Sequence, residues 1–342
     1  MTSRQTASVL VILLAAAVGH SAAAQQPRGR VHRLAATPET VAYGFYDAAA
    51  PPALRIASGD IIDVDTLLTS VPDRLERAGV PATQVQQSLR DIVAKVTNRG
   101  PGGHILTGPV YVEGAAPGYA LEVKVLSIDL AIPYGYNGCR GYLPENCGQN
   151  GMRIIQLDAK RKIATFAPGV EIPIRPFFGS MGVAPPPSAG RISSNPPGIH
   201  AGNLDNRDLV VGTSLFIPVH VPGALFEVGD GHAAQGHGEV DQTAIETSLR
   251  GQLQLIVHKG MTLTWPRAET PTHYISMGTD EDLSKATKTA IQEMIDFLAA
   301  SRGYDKQTAY QLTSVAADVI ITQLVDGKVG VHVALPKSVF VK

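Results

Sequence analysis

Apolar and polar positions alternate with a period of two along many short stretches of this chain. Leu121, Val123 and Val125 alternate with Glu122 and Lys124, Leu215, Ile217 and Val219 follow the same rule after Ser214, and Leu249 to Val257 reads as another strand. Such alternation puts apolar side chains on one face and polar ones on the other, as a half-buried strand requires. Leu54 to Leu67 reads as two short strands about Gly59-Asp60, with Ile62 and Val64 on one face and Ile61, Asp63 and Asp65 on the other. Ile154 to Ile163 and Thr165 to Ile174 form a hairpin-rich region, and Asp326-Gly327 marks a hairpin between QLV and VGVHVAL. Turns at Gly59, Gly118, Gly212 and Gly223 each lead into an alternating segment.

Helical spacing is confined to a few places. Val85, Leu89, Ile92, Val93 and Val96 recur at three- and four-residue steps within Pro72 to Asn98, and Gly100-Pro101 ends the pattern. Thr279 with Asp282 resembles a capping box ahead of a stripe of Leu283, Ala286, Ala290, Ile291, Met294 and Leu298, closed by Gly303. A second helix is expected from Asp305, carrying Tyr310, Leu312, Val315, Ala316, Val319 and Ile320. Pro176 to Pro187 has no useful period and reads as a wall or linker, and Ile132 to Asn150 reads as a polar, aromatic loop over a pocket. The pattern predicts a mainly β fold with some α, of sandwich or barrel architecture, with the two C-terminal helices packed on it as scaffold.

Composition sharpens this picture. Gly 34 and Pro 24 against 6% aromatics imply many tight turns, and a formal net charge of −1 gives no reason to expect nucleic acid as a partner. Arg4 precedes the apolar run Ala7 to Gly19, and Ala22 and Ala24 fit a small-x-small cleavage site, so residues 1–24 read as a signal peptide cut before Gln25. That leader predicts an exported, periplasmic or secreted protein without a permanent membrane anchor. The two cysteines, Cys139 and Cys147, share one loop, where an oxidising compartment permits a disulfide. The remaining 25–342 is expected to form one catalytic region, as two intertwined β-rich lobes.

The richest chemistry lies in Val219 to Ile245. Within ten residues it holds Asp230, His232, Gln235, His237 and Glu239, separated by Gly229, Gly231, Gly236 and Gly238. Period two places Phe226, Val228, Asp230 and His232 on one side of an extended segment. A second glycine-spaced polar loop carries Gly198, His200, Gly202, Asn203 and Asp205. If Asp205, Asp230 and His232 meet on one divalent ion, the mixed oxygen and nitrogen set suits zinc and leaves a position for water, while Glu239 shuttles protons to the leaving group. Glycine-rich acidic loops also hold structural calcium. His104, after Gly102-Gly103, reads either as a ligand or substrate contact or as a satisfied structural histidine. Together with His200, Gln235 and His237 it makes up the candidate substrate contacts. No GxSxG nucleophile elbow is present, and Ser180 lacks its strand–turn–helix setting.

The stretch VPGALFEVGDGHAAQGHGEVDQTAIE resembles the signature of the acetamidase/formamidase family, and HILTGPVYVEGAAPGYALEVKVL, GSMGVAP, HAGNLDNRDLVVGTSLFIPVHV and the C-terminal segments match in the same order. The resemblance implies hydrolysis of the C–N bond of small linear amides, a β-rich subunit that forms homo-oligomers, and a divalent metal. Position by position, Asp205, Asp230, His232, Gln235, Glu239 and His104 match the motif. His237 stands where the family commonly has Asp, and Ala201 where it has Gly. Two further readings remain beside small-amide hydrolysis: a larger or cyclic amide as substrate, and an exported binding protein on the same scaffold without turnover.

Overall fold

A computed structural model of the chain describes residues 29–148 and 151–341, so the expected leader, 1–24, lies outside the described part. Two large sheets dominate. The first has nine strands, in the order Val31–Leu34, Ile61–Asp65, Leu249–His258, Ala120–Leu130, Ser214–Pro218, Arg267–Glu269, His273–Asp280, Val329–Pro336 and Asp318–Gln323. The second has eleven strands, and at its centre Phe226–His232 pairs with Phe177–Gly182, Ile105–Val112 and Glu246–Thr247. The strand orders are open, so neither sheet closes into a barrel.

The sheets pack face to face. Leu121, Val123, Leu253 and Leu255 of the first meet Phe178, Met181, Phe226 and Val228 of the second in one buried cluster. Each fully buried side chain of this size contributes about 1.5–3 kcal/mol. The two strands expected about Gly59-Asp60 are both present, but they part company: Leu54–Ile56 joins the second sheet and Ile61–Asp65 the first. The chain thus crosses between layers within a single turn.

The helix Leu283–Arg302 buries Ala286, Ala290, Met294 and Leu298 against Val331, Val333 and Leu335 of the first sheet. Gly278 allows this approach, because a Cβ there would sit 2.4 Å from the Ala286 carbonyl oxygen. Asp282 caps the helix by accepting a hydrogen bond from the Lys285 amide, in place of the expected Thr279 box. Gly303 closes it in the left-handed region, φ 68.

Four expectations need correction. Pro176 to Pro187 is not a linker: Phe177–Gly182 is a strand buried along its whole length, and a strand covered on both faces shows no alternation to read. The second C-terminal helix is Lys306–Ala316, and Val319 and Ile320 lie in the strand Asp318–Gln323, on the near side of the Asp326-Gly327 hairpin. Tyr310 and Val315 of that helix are exposed, so its apolar stripe was overread. The polar loop after Ile132 contains the strand Tyr134–Gly138. Among the described residues no helix is long and apolar enough to cross a membrane.

Candidate active site

The strand Phe226–His232 is expected to keep one side-chain alternation throughout, and it does not. Phe226 and Val228 belong to the core between the sheets, as do their neighbours Met181 and Phe178 on the adjoining strand. Met181 pairs with Val228 and Phe178 with Gly231, three positions apart, yet both face the core. The reversal falls at Asp230, whose φ of 56 lies in the left-handed region. Asp230 and His232 therefore face away from the apolar layer, over Gly179. A Cβ on Gly179 would lie 2.4 Å from Asp205 Oδ1, 2.6 Å from Asp230 Oδ2 and 2.8 Å from His232 Cε1. Asp205, Asp230 and His232 do converge, on the space that Gly179 leaves free.

Left-handed backbone recurs at Asp205 (φ 46) and Glu239 (φ 41). Such non-glycine geometry costs on the order of 1–3 kcal/mol per residue and persists only where the surroundings enforce it. Here the Asp205 amide donates to the Gly179 carbonyl at 3.1 Å, and Asn203 Nδ2 donates to Asp205 Oδ2 at 2.7 Å. Thr69 Oγ1 donates to Asp230 Oδ1 at 2.9 Å. The loop bearing Glu239 is tied on both sides. Gly238 donates to Thr322 O at 2.9 Å, and Tyr142 donates to Val240 O at 2.8 Å from within the loop bridged by the Cys139–Cys147 disulfide.

Gln235 decides how His232 is used. Its Nε2 donates to the Asp205 carbonyl at 2.7 Å, which turns Oε1 toward His232 Nδ1 at 2.9 Å. A carbonyl oxygen only accepts, so Nδ1 carries a proton. His232 Nε2 then faces Asp230 Oδ2 at 3.2 Å and Glu246 Oε1 at 3.3 Å. The expected trio of Asp205, Asp230 and His232 is therefore not one ligand set, because the His232 nitrogen nearest Asp205, at 3.7 Å, is already engaged by Gln235. Asp230, His232 and Glu246 form the compatible group. Both ends of the Gln235 amide are thus committed, one to Asp205 and one to His232.

Five acidic residues line one cavity of about 200 Å³: Asp205, Asp230, Glu239, Glu246 and Asp326. Burial pushes the Asp205, Glu239, Glu246 and Asp326 carboxyls up, and the negative neighbours of Asp205 and Glu239 add to it. Burial also opposes ionisation of Asp230, but His232 and His104 outweigh it and hold Asp230 below the usual carboxylate range. Burial disfavours the His232 imidazolium, yet Glu246 and Asp230 reverse that and raise it well above its ordinary value. Asp205 Oδ1, Glu239 Oε2, Glu246 Oε2, Asp326 Oδ2 and His232 Nε2 are buried without hydrogen-bond partners. Such a donor set fits a divalent cation. Bonds of about 2.0 Å in a tetrahedral site put donors roughly 3.3 Å apart, close to the separations at His232 Nε2.

Of the other expected contacts, His104 lines the cavity, with Nε2 3.8 Å from Asp230 Oδ1 and Nδ1 donating to the Ser194 carbonyl at 3.1 Å. His200 does not reach it. Its ring is buried edge-on against Tyr46 at 5.0 Å, and burial lowers its pKa to about 3, so it is neutral packing. His237, in the Glu239 loop, does not line the cavity either; it lies 3.9 Å from Asp208, beside a separate groove of about 510 Å³ that Glu239 also borders. That groove is larger, but the acidic cluster opens into the smaller cavity. Glu246 and Asp326 escaped the sequence reading. Glu246 is the lone charge between Asp241 and Arg250, which is a usable signal, whereas Asp326 is hidden in an Asp-Gly turn.

The acetamidase/formamidase family model matches residues 82–195 and 188–342. The chain belongs to that family. An acetamidase of Yersinia enterocolitica has a similar structure, with TM-score 0.79 and 27% identity over 92% of this chain and 94% of that one. An acetamidase of Bacillus halodurans gives TM-score 0.77 and 28% identity over 90% and 98%. In sequence, the acetamidase of Mycolicibacterium smegmatis is 25% identical over 200 residues, 40% of this chain and 49% of that protein. The chain spans about half the length of the curated relatives it matches. Mostly β architecture is common to this family's solved structures and this chain.

Proposed function

We propose that this protein is a metal-dependent amidohydrolase that cleaves small linear amides to a carboxylate and ammonia. The observation that carries the reading is the meeting of Asp205, Asp230, Glu239, Glu246 and Asp326 around one small cavity, with His232 against Asp230 and Glu246 and with buried oxygens left unpartnered. Its volume of about 200 Å³ falls below the 300–1,000 Å³ common for drug-sized ligands, which favours formamide- or acetamide-sized substrates.

Asp230, His232 Nε2 and Glu246 would hold the cation, with zinc the best match to two carboxylates and one imidazole. When bound, the ion polarises the amide carbonyl and makes a neighbouring water more acidic. His104, with Nδ1 spent on Ser194 and Nε2 facing Asp230, lines the cavity where it contacts the amide. Glu239 and Asp205 are buried carboxyls whose negative charges oppose each other, so one of the pair holds a proton. The ionised partner takes the proton of the attacking water, and the protonated one, Glu239, gives its proton to the departing nitrogen.

Export through the 1–24 leader and assembly into a homo-oligomer belong to the same reading, supported by the leader sequence and the resemblance. The test is ammonia and carboxylate release from formamide, acetamide, propionamide and small lactams by zinc-replete protein. Turnover of short linear amides is expected. Release only from lactams would move the substrate to cyclic amides, and no release from a folded, metal-loaded sample would remove the enzyme reading.

A further inference from the structure

A second set of metal-ligating side chains lies outside the cavity. Asp208 lies in the turn after Asp205, His237 lies in the Glu239 loop, and His332 sits on the strand Val329–Pro336 of the first sheet. Their donor atoms all fall within 4.8 Å of one another. His332 Nε2 is 3.5 Å from Asp208 Oδ2, and His237 Nε2 is 3.9 Å from the same oxygen. A tetrahedral ion with bonds of about 2.0 Å needs edges of roughly 3.3 Å, which the two edges to Asp208 Oδ2 approach, while the third is no longer than 4.8 Å.

Each residue is prepared for that role by its partners. The second Asp208 oxygen, Oδ1, takes Arg175 Nη2 at 3.3 Å, which leaves Oδ2 to face both rings. Asn206 Oδ1 accepts the Asp208 amide at 3.0 Å and fixes the turn. Thr322 Oγ1 is 2.7 Å from His332 Nδ1; with the hydroxyl taking the Nδ1 proton, Nε2 presents its lone pair. The His332 side chain is 0% exposed, and its Nε2 has no hydrogen-bond partner. The two ring centroids lie 5.4 Å apart, with both Nε2 atoms facing Asp208 Oδ2.

We infer that Asp208, His237 and His332 form a second zinc site, distinct from the catalytic cavity, that clamps the Glu239 loop to the C-terminal strands. The loop is already stitched to the same place, since Gly238 donates to Thr322 O at 2.9 Å and Leu324 donates to Gly238 O at 3.1 Å. His237 stands two positions before Glu239, so the ion fixes the backbone that aims the proton-transferring carboxylate. Two ligands come from turns and one from a strand of the first sheet, which makes it a loop-to-sheet tie and leaves a fourth position for water.

Zinc stoichiometry tests this without reference to turnover. The full chain, stripped with a chelator, is titrated with Zn²⁺ alone by calorimetry, and bound metal is counted after gel filtration. Two equivalents are expected in wild type, with one lost in His237→Ala and a different one lost in Asp230→Asn. His237 is exposed on a loop, so His237→Ala leaves the core untouched; Asp208→Asn, which keeps the Arg175 contact, must lose the same equivalent. If wild type binds one equivalent that survives in His237→Ala, the second site is overturned while the catalytic one stands. If the single equivalent is lost in His237→Ala and kept in Asp230→Asn, the second site stands and the proposed catalytic metal falls. Equal zinc binding in wild type and His237→Ala at any stoichiometry contradicts the inference.

Discussion

Asp205 sits over Gly179, its amide 3.1 Å from the glycine carbonyl and its Oδ1 only 2.4 Å from where a glycine Cβ would be. The absent side chain is what allows a carboxylate from one loop and the Asp230–His232 segment of the neighbouring strand to share a space. Gly179→Ala is therefore expected to displace all three groups at once. Overpacking of this kind costs about 1–3 kcal/mol, so the protein still folds, whereas amide hydrolysis falls roughly 10²-fold through lost positioning. Thermal melts beside ammonia assays check both halves, and a Gly179→Ala protein with wild-type turnover would show that the convergence is incidental.

Glu239 is assigned the proton transfer to the leaving nitrogen. Glu239→Gln keeps the size and the loop ties but cannot hand over a proton. A fall in kcat of about 10²–10⁴-fold with little change in KM is expected, with zinc content unchanged. A change confined to KM would make Glu239 a binding residue instead.

The disulfide brackets a loop of sequence separation 8 that carries Arg140 at the cavity and pairs with Val240 and Asp241. Closing a loop this short contributes roughly 2–3 kcal/mol by restricting the unfolded chain. Cys139→Ser with Cys147→Ser should lower Tm, and because the loop borders the mouth rather than the proton-transfer pair, KM should rise more than kcat falls. Comparing the variant with reduced wild type separates the lost bond from the substituted hydroxyls.

Far from the cavity, burial and the neighbouring Asp296 carboxylate push the Glu293 carboxyl up to about 7 from a usual 4.5. The folded chain keeps this proton where the unfolded chain has lost it. Stability therefore declines as pH rises from 4.5 to about 7, and the loss is complete above that. Glu293 is only half-buried, so after allowance for solvent screening the effect is on the order of 1 kcal/mol. Glu293→Gln is expected to be more stable than wild type at pH 8 and equal to it at pH 4 in urea unfolding. An equal gain at both pH values would point to packing rather than charge.

Much of this arrangement was legible in the sequence, and the illegible parts share physical causes. Alternating strands such as Ala120–Leu130 and the Asp326-Gly327 hairpin could be read because one face is wet or one turn is chemically specified. Phe177–Gly182 could not, since burial on both faces erases the period, and that strand is the floor of the site. The density of Asp230, His232 and Glu239, and the glycine-spaced stretches around Asp205 and His104, picked out residues that the fold brings close together. Spacing could not tell that Gln235 engages the His232 nitrogen facing Asp205, nor that Asp230's left-handed backbone reverses the side-chain alternation. Glu246 and Asp326 enter through tertiary pairing, 7 and 87 positions beyond Glu239 in the chain. His200 shows the converse: a histidine among glycines that packs on Tyr46 and goes no further.

The cation's place among the buried carboxylates is tested most directly by acetamide and formamide turnover before chelation, after chelation and after return of Zn²⁺, in wild type and Asp230→Asn side by side. Wild-type activity should vanish on chelation and return with zinc, while Asp230→Asn stays inactive throughout. Undiminished hydrolysis by wild type freed of metal would contradict the assignment.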